Sequence, residues 1–231
     1  MANLTHRSTS EPVARADGAA TRAAIIDATL RRIGVDGYAH LNLRQIAQEA
    51  GVNHALISYH FGSKQQLVLA VLDAANRRLI ERQERMYAQP VPASEKWRQA
   101  CAFYEDDLRS GFVRLTMEMM AASFTDASLR REFVPRMLAW HRLIDEEVAQ
   151  TIARHGLELP VSARAIGAFI ACFWVGMEAQ MTVGIDESEG HYLEALQAMH
   201  AMLVALEAGT SRRRGRAPAK PPSAARPRRP R

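Results

Sequence analysis

Residues that start a helix alternate with residues that stop one in a short stretch near the N-terminus. Asn42, Asn53 and Ser63 are suited to cap a helix start, because a short polar side chain can accept a hydrogen bond from a free N–H of the first turn. Gly51 and Gly62 each stand nine residues after the preceding asparagine, where glycine favours a helix end. Helices this short are not stable alone in water. The stretch must therefore fold as a compact unit of short, mutually packed helices.

Helical periodicity continues along the rest of the chain. Apolar residues at helical spacing precede Gly34 and Gly37, which we expect to end a first helix. No alternation typical of strands and no Asn-Gly or Asp-Gly hairpin turn is found in the body of the chain, so we predict an all-α fold. Pro135 is expected to kink or split the helix that contains it. The later helices are predicted at 64–88, 94–109, 111–124, 128–155, 162–183 and 188–208.

The spacing of Ala47, Gly51 and Ile57 is typical of a helix-turn-helix. A small residue allows two helices to cross closely, a glycine permits the sharp turn, and a β-branched residue fills the core beneath the second helix. Asn42 and Gln45 also fit a capping box, in which the glutamine side chain bonds back to the backbone N–H of the cap residue. This spacing alone also occurs by chance in other helical proteins.

The longer string LNLRQIAQEAGVNHALISYHFGSKQQLVLAVL, preceded by TRAAIIDATLRRIGVDGY, resembles the TetR family of bacterial transcriptional regulators over residues 21–72. Asn42 and Asn53 stand where family members often have Ser or Thr, and Ser58 stands where many have Tyr. The resemblance implies a three-helix DNA-binding domain followed by a larger helical domain for ligand binding and dimerisation. We place these domains at 19–66 and 67–208, with a disordered leader at 1–18 and a disordered tail at 209–231.

Within this resemblance, the helix near 53–61 is the expected recognition helix, whose N-terminal end enters the major groove of double-stranded DNA. Arg44 can pair bidentately with guanine, although a phosphate contact or a solvent-exposed charge is the alternative. For His60 the alternative is a packed ring beside Phe61. The residues expected to contact bases are Arg44, His54, Ala55 and Ser58, and those expected to contact phosphates are Asn42, Tyr59, His60 and Lys64.

A small-molecule effector pocket is expected in the second half, since methionine and aromatic side chains suit a permissive cavity. Two acids within apolar runs, Glu118 and Glu178, are candidates for contact with a cationic ligand, because an unpaired buried charge is costly. The alternatives are that the apolar residues are core and that the acids lie on exposed helix edges or pair with an arginine. The apolar candidates are Phe103, Met117, Met120, Trp140, Phe169, Phe173 and Trp174.

The apolar segments 166–184 and 192–208 resemble the paired helices that join two TetR-family subunits in a four-helix bundle. A homodimer of this kind requires a near-palindromic operator. The alternative is that these helices only fill the core of one chain.

Positive charge is concentrated at the C-terminal end. Residues 209–231 contain eight Arg, one Lys, five Pro and no acidic residue, whereas the whole chain has a net charge of +5. This segment has too little apolar surface to fold and is predicted to be either a non-specific nucleic-acid arm or a solubilising extension. In the leader, Arg7 and Arg15 are candidates for minor-groove or phosphate contacts.

Other classes of protein are disfavoured by what the sequence lacks. Two cysteines exclude a disulfide framework, the histidines are scattered, and no Gly-rich phosphate loop or G-x-S-x-G motif is present. We therefore expect no cofactor, no metal, no membrane partner and no enzymatic activity, and a cytoplasmic location. The expected function is a ligand-responsive, sequence-specific transcriptional regulator, a repressor released from its operator by an effector. An enzyme and a sequence-indifferent architectural DNA protein are the alternatives.

Overall fold

Ten helices and no strand make up the part of the chain, residues 11–215, that the computed structural model describes; side chains are described for residues 18–209. The predicted all-α fold is confirmed. The helices are α1 (Glu11–Asp36), α2 (Leu43–Ala50), α3 (His54–Phe61), α4 (Lys64–Tyr87), α5 (Ala93–Ser110), α6 (Phe112–Thr125), α7 (Ala127–His155), α8 (Ala163–Thr182), α9 (Glu187–Gly190) and α10 (Tyr192–Gly215).

The capping residues predicted near the N-terminus determine where α2, α3 and α4 begin. The side chains of Asn42, Asn53 and Ser63 each accept a backbone N–H from the first turn of the following helix, over 2.9 to 3.1 Å. Gly51 adopts a φ of +67°, which a residue with a Cβ rarely adopts, and it turns the chain between α2 and α3.

The reciprocal half of the predicted capping box is wrong. The Gln45 side-chain oxygen accepts a hydrogen bond from the Arg32 guanidinium over 3.2 Å, so it faces α1 and not the Asn42 backbone. Tertiary packing supplies the reason, because α1 brings a charged donor beside α2. Arg31 and Glu49 join the same two helices by an ion pair of 2.7 Å.

Three predicted helix boundaries also differ from the structure. The first helix continues through Gly34 to Asp36, and only Gly37, at φ +79°, ends it. Pro135 lies at an exposed position inside α7 and does not split this helix. The helix predicted at 188–208 is divided at His191, which has φ +50°; a Cβ on the preceding Gly190 would overlap the Tyr192 ring.

Helical backbone extends into both terminal segments that were expected to be disordered. Helix α1 begins at Glu11, where Pro12 in the first turn removes only an N–H that would have no helical partner. Helix α10 continues to Gly215. Residues 1–10 and 216–231 lie outside the described residues, as do the side chains of 11–17 and 210–215, and with them the predictions for Arg7, Arg15 and most of the basic tail.

The three N-terminal helices share their core with helices from the second half of the chain. Ile25 and Ile33 of α1, Ile46 of α2 and Ile57 of α3 pack in one cluster with the apolar face of α4. This cluster is completed by residues of α6 and α7: Leu115, Met119, Leu129 and Phe133. A second cluster joins α5, α6, α8 and α10. Packing is thus continuous across the predicted domain boundary at 66/67.

Helix α6 meets the end of α1 at two glycines. A Cβ on Gly111 would lie 2.7 Å from the Cα of Gly34, so the two backbones touch with no side chain between them. One turn along α6, Arg114 donates to the backbone oxygens of Gly34 and Val35 over 3.2 Å. Glu118 bonds to Arg114 over 2.8 Å and accepts the backbone N–H of Tyr38. Close approach and these hydrogen bonds together fix α6 against the end of α1.

Replacing Gly111 by alanine should destabilise the protein strongly, because φ at this position is +84° and the added Cβ overlaps Gly34. Gly156→Ala is the matched control, since Gly156 has φ +59° but no atom within 4 Å of a Cβ. We expect about 1 kcal/mol of destabilisation for the control from backbone strain, and about 1–3 kcal/mol more for Gly111→Ala from overpacking. Urea denaturation measures both, and equal losses would show that the glycine contact is not tight.

Candidate nucleic-acid interface and ligand cavity

Helices α2 and α3 form a helix-turn-helix with one buried and one exposed side. Ala47 and Ile57 are buried where the two helices cross, as their spacing predicted. Phe61, the last residue of α3, is also buried and lies under the Arg22 guanidinium at 5.1 Å. With these side chains turned inward, the opposite face of α3 is open to solvent.

The four residues predicted to contact bases are all exposed. His54, Ala55 and Ser58 are exposed, and their spacing places them on one face of α3 beginning at its first turn. Arg44 is exposed in the first turn of α2 and has no ion-pair partner among the described residues. A guanidinium and three small or polar side chains are therefore available together for an external partner.

Two of the residues predicted to contact phosphates are well presented, and two are partly engaged within the chain. Tyr59 is 81% exposed and Lys64 stands at the N-terminus of α4, where free N–H groups also favour an anion. The Asn42 side-chain oxygen already caps α2. The half-buried His60 ring packs against Phe61 at 6.2 Å, which favours the packing alternative for this residue.

Tyr38 is a contributor that sequence reasoning missed. Its ring lies 5.0 Å from the Lys64 ammonium, close enough for a cation–π contact that holds the lysine near the start of α4. The only sequence signal was an aromatic residue directly after Gly37, too common a pattern to assign.

A cavity of about 310 Å³ lies among α4, α5, α6, α7, α8 and α10. Its wall is largely apolar and aromatic and includes all three tryptophans of the chain, Trp97, Trp140 and Trp174. Of the predicted pocket residues, those that line it are Phe103, Trp140, Phe169, Trp174 and Glu178. The volume lies at the lower end of the 300–1,000 Å³ usual for small-molecule sites.

The other four predicted pocket residues lie elsewhere. Met117 is buried in the second cluster, and Met120 and Phe173 pack against that cluster from its edge. The Glu118 carboxylate accepts hydrogen bonds from Arg114 and from the Tyr38 N–H, as described above. The periodicity of the sequence does not show which face of α6 or α8 meets the cavity, and only the packing of these helices decides it.

Charged residues in and near the cavity wall form ion pairs that the sequence did not reveal. Lys96, only 2% exposed, donates to Glu147 over 3.0 Å and to the backbone oxygen of Tyr87. In the second pair, Arg136 of α7 binds Asp73 of α4 through two bonds of 2.7 and 2.9 Å.

A third pair joins α4 to α5. Arg82 binds Asp107 over 2.6 Å and lies 4.4 Å above the Phe103 ring. Burial raises the pKa of Asp107, and the bond to Arg82 opposes this effect. Two of the three pairs therefore connect the cavity wall directly to α4, the helix that begins with Lys64.

Glu178 differs from these paired residues. Its carboxylate forms no hydrogen bond or ion pair with any described residue, although it lines the cavity on α8. Burial, assisted by the negative charge of Asp107, raises the pKa of Glu178 from 4.5 to about 8. Near neutral pH this side chain is therefore mostly an uncharged carboxylic acid.

Large apolar side chains on α8, α10 and the loop after α8 face outward. Phe169, Val183, Leu193 and Met202 are 67%, 78%, 56% and 65% exposed. Ala163–Thr182 is, among the described residues, the one helix long and apolar enough to cross a membrane, and only 22% of its apolar window is buried. A helix that packs on another protein chain has the same length and composition. The described residues contain no group of three or more potential metal ligands.

Residues 25–71 match the family model for bacterial regulatory proteins of the tetR family. The HTH-type transcriptional regulator BetI of Agrobacterium fabrum is 47% identical over 58 residues, which cover 25% of this chain and 28% of the relative. BetI of Rhizobium meliloti is 32% identical over 117 residues, covering 51% of this chain and 56% of the relative. The chain thus spans at most about half the length of these curated relatives.

Solved structures extend the similarity of fold to most of the chain. A transcriptional regulator from Saccharomonospora viridis, in complex with choline, has a TM-score of 0.65 at 20% identity and covers 78% of this chain and 95% of its own. The transcriptional regulator FadR from Bacillus subtilis, in complex with stearoyl-CoA, has a TM-score of 0.62 at 18% identity and covers 79% and 97%. At these identities the likeness concerns the fold.

Glu178→Gln should stabilise the protein increasingly as pH rises. In the unfolded chain this acid ionises near pH 4.5, but in the folded protein its pKa is about 8, so the folded state loses stability between these values. The variant lacks this loss, and its advantage in unfolding free energy should grow by about 3 kcal/mol from pH 5 to pH 8.

Urea denaturation at several pH values measures this difference. Glu146→Gln, which removes an exposed carboxylate from α7, serves as the control and should show little pH-dependent difference. An advantage of Glu178→Gln that does not change with pH would contradict the raised pKa.

Proposed function

This chain belongs to the TetR family of bacterial regulatory proteins, and from that premise we propose that it is a homodimeric repressor that binds a palindromic operator and is released by a small-molecule effector. The observation that carries the proposal is the open face of α3 inside the segment that matches the family model. A cytoplasmic location follows from the proposed DNA partner.

Sequence-specific DNA binding rests on the side chains presented by α2 and α3. Arg44 has the donor geometry for two acceptors of one guanine, and His54 and Ser58 offer hydrogen-bonding groups to neighbouring base edges. Tyr59 and Lys64 flank this group and suit phosphate contacts that set the position of α3. Because base and phosphate groups lie on the same side, α3 can enter the major groove without rearrangement of its core.

The dimer rests on the outward-facing apolar surface of α8 and α10. Side chains as large as Leu193 and Met202 gain transfer free energy when a second copy covers them, about 1.5–3 kcal/mol each if they are fully buried. A two-fold symmetric pair can place its two recognition helices about 34–36 Å apart, one turn of DNA. This symmetry is the reason for a palindromic operator.

Release by an effector rests on the position of α4 between the cavity and the DNA-binding side chains. Helix α4 begins with Lys64, contacts the cavity through Leu79 and Gln83, and is bound to α7 by Asp73. A ligand that favours a different position of α4 changes the separation of the two recognition helices, to the extent that it binds the two arrangements with different affinity. The structural neighbours carry ligands as different as choline and stearoyl-CoA.

Selection of bound duplexes from random DNA should recover a near-palindrome. With that operator, Arg44→Ala should relax preference at one base position in each half-site, at a cost of about 1–3 kcal/mol for the preferred base. Lys64→Ala should weaken binding to all sequences about equally and reduce the salt dependence. Recovery of unrelated sequences in place of a palindrome would favour a sequence-indifferent DNA protein. If instead Lys64→Ala relaxed the base preference and Arg44→Ala weakened binding to all sequences, Lys64 would be the base contact and Arg44 the phosphate contact.

Met202→Glu should convert the dimer to monomers, because it places a charge within the exposed apolar surface of α10. Ala149→Glu, an exposed position on α7, is the control and should leave the mass unchanged. Sedimentation equilibrium at micromolar concentration measures both. A monomeric wild-type protein, or a Met202→Glu variant that remains dimeric, would count against this interface.

A further inference from the structure

We propose that the cavity is specific for organic monocations, a quaternary or tertiary ammonium group carried on an apolar body, and that Glu178 is the residue that binds the positive charge. This class of ligand would be the effector of the proposed regulator, and only that regulatory role rests on the proposed function. Binding itself can be measured without DNA.

The first support is the placement of Glu178. It follows Ile166, Ile170 and Trp174 at intervals of four residues, so it extends the face of α8 that lines the cavity. This face is otherwise apolar, and the carboxylate has no partner among the described residues. A polar group held in an apolar wall without a hydrogen bond costs free energy, and a ligand that supplies the missing partner recovers it.

The second support is the balance of charge around the cavity. Lys96 is neutralised by Glu147, Arg136 by Asp73, and Asp107 by Arg82. Glu178 is therefore the one charge-bearing side chain in the described cavity wall without an opposite charge beside it. An anionic ligand would find this acid and no unpaired cation in the cavity wall, whereas a ligand with one positive charge would neutralise Glu178.

The third support is the aromatic surface next to Glu178. The Trp174 ring lies 5.1 Å from the Tyr104 ring and 5.7 Å from the Trp97 ring, and all three line the cavity. Burial and, second to it, the charge of Glu178 raise the pKa of Tyr104, and the contribution of Glu178 indicates that this ring and the carboxylate are close. Aromatic faces attract a quaternary ammonium by cation–π interaction, and they do so most strongly where water is excluded.

Binding of a cation should release a proton. The groups that influence Glu178 are Tyr104 and Asp107 from α5 and, through Asp107, Arg82 from α4; no basic side chain pairs with it. Since the pKa of Glu178 is about 8 in the empty protein, the acid is protonated at neutral pH and must ionise to pair with the cation. The affinity for a cation should therefore fall about tenfold for each pH unit below 8 and level off above it.

A pair of isosteric probes tests this directly: benzyltrimethylammonium, which is charged, and neopentylbenzene, its neutral hydrocarbon counterpart. All three tryptophans line the cavity, so intrinsic fluorescence reports binding there. At pH 8.5 the wild-type protein should bind the cation more tightly than the hydrocarbon. Glu178→Gln should lose about 10- to 100-fold in affinity for the cation, keep its affinity for the hydrocarbon, and show no pH dependence between 6 and 9.

Glu146→Gln, with its exposed carboxylate on α7, is the matched control and should bind both probes as the wild type does. The inference is overturned if the hydrocarbon binds the wild type as well as the cation does, if neither probe binds, or if Glu178→Gln retains the wild-type affinity for the cation. Calorimetry of the wild-type protein in two buffers of different ionisation enthalpy should show one proton released per cation near pH 7.

Failure of the cation specificity can be distinguished from failure of the proposed regulatory function. If neutral ligands fill the cavity and dissociate the operator complex, the regulator remains and only its cation specificity fails. If cations bind through Glu178 but leave the operator complex intact, the site stands and the regulatory proposal fails.

Discussion

The contact of Gly34 with Gly111 is the constraint on which the relation between the two halves of the chain depends. Because no side chain separates the two backbones, α6 approaches α1 closely enough for Arg114 to reach the last carbonyls of α1 and for Glu118 to reach the Tyr38 N–H. Leu115 and Met119 on the same helix then enter the core of the N-terminal helices. The helix-turn-helix is thus supported by α6 as well as by its own three helices.

The N-terminal fold could be predicted from local rules. Asn42, Asn53 and Ser63 cap helices in the structure because capping depends only on the residue and its own next turn. The failures came where a distant residue intervened, as when Arg32 of α1 drew the Gln45 side chain away from the cap.

The candidate sites could be predicted to different degrees for the same reason. The exposed face of α3 follows from which residues must be buried, so His54 and Ser58 were identifiable. The cavity needs six helices to be placed, and helical spacing alone did not distinguish Glu178, which lines it, from Glu118, which accepts the Tyr38 N–H after the end of α1. The buried Lys96–Glu147 ion pair could not be predicted from the sequence either, because each of these residue types alone is typical of a solvent-exposed surface.

The outward apolar surface of α8 has a consequence for how much of the regulator a cell needs. A single chain leaves most of this helix uncovered, which favours pairing, and in the proposed dimer only the paired form offers both recognition helices to one operator. When chains are scarce, the amount of the paired form grows with the square of their number. Occupancy of the operator would then respond steeply to the rate of synthesis, and dilution as the cell grows would relieve repression without any effector.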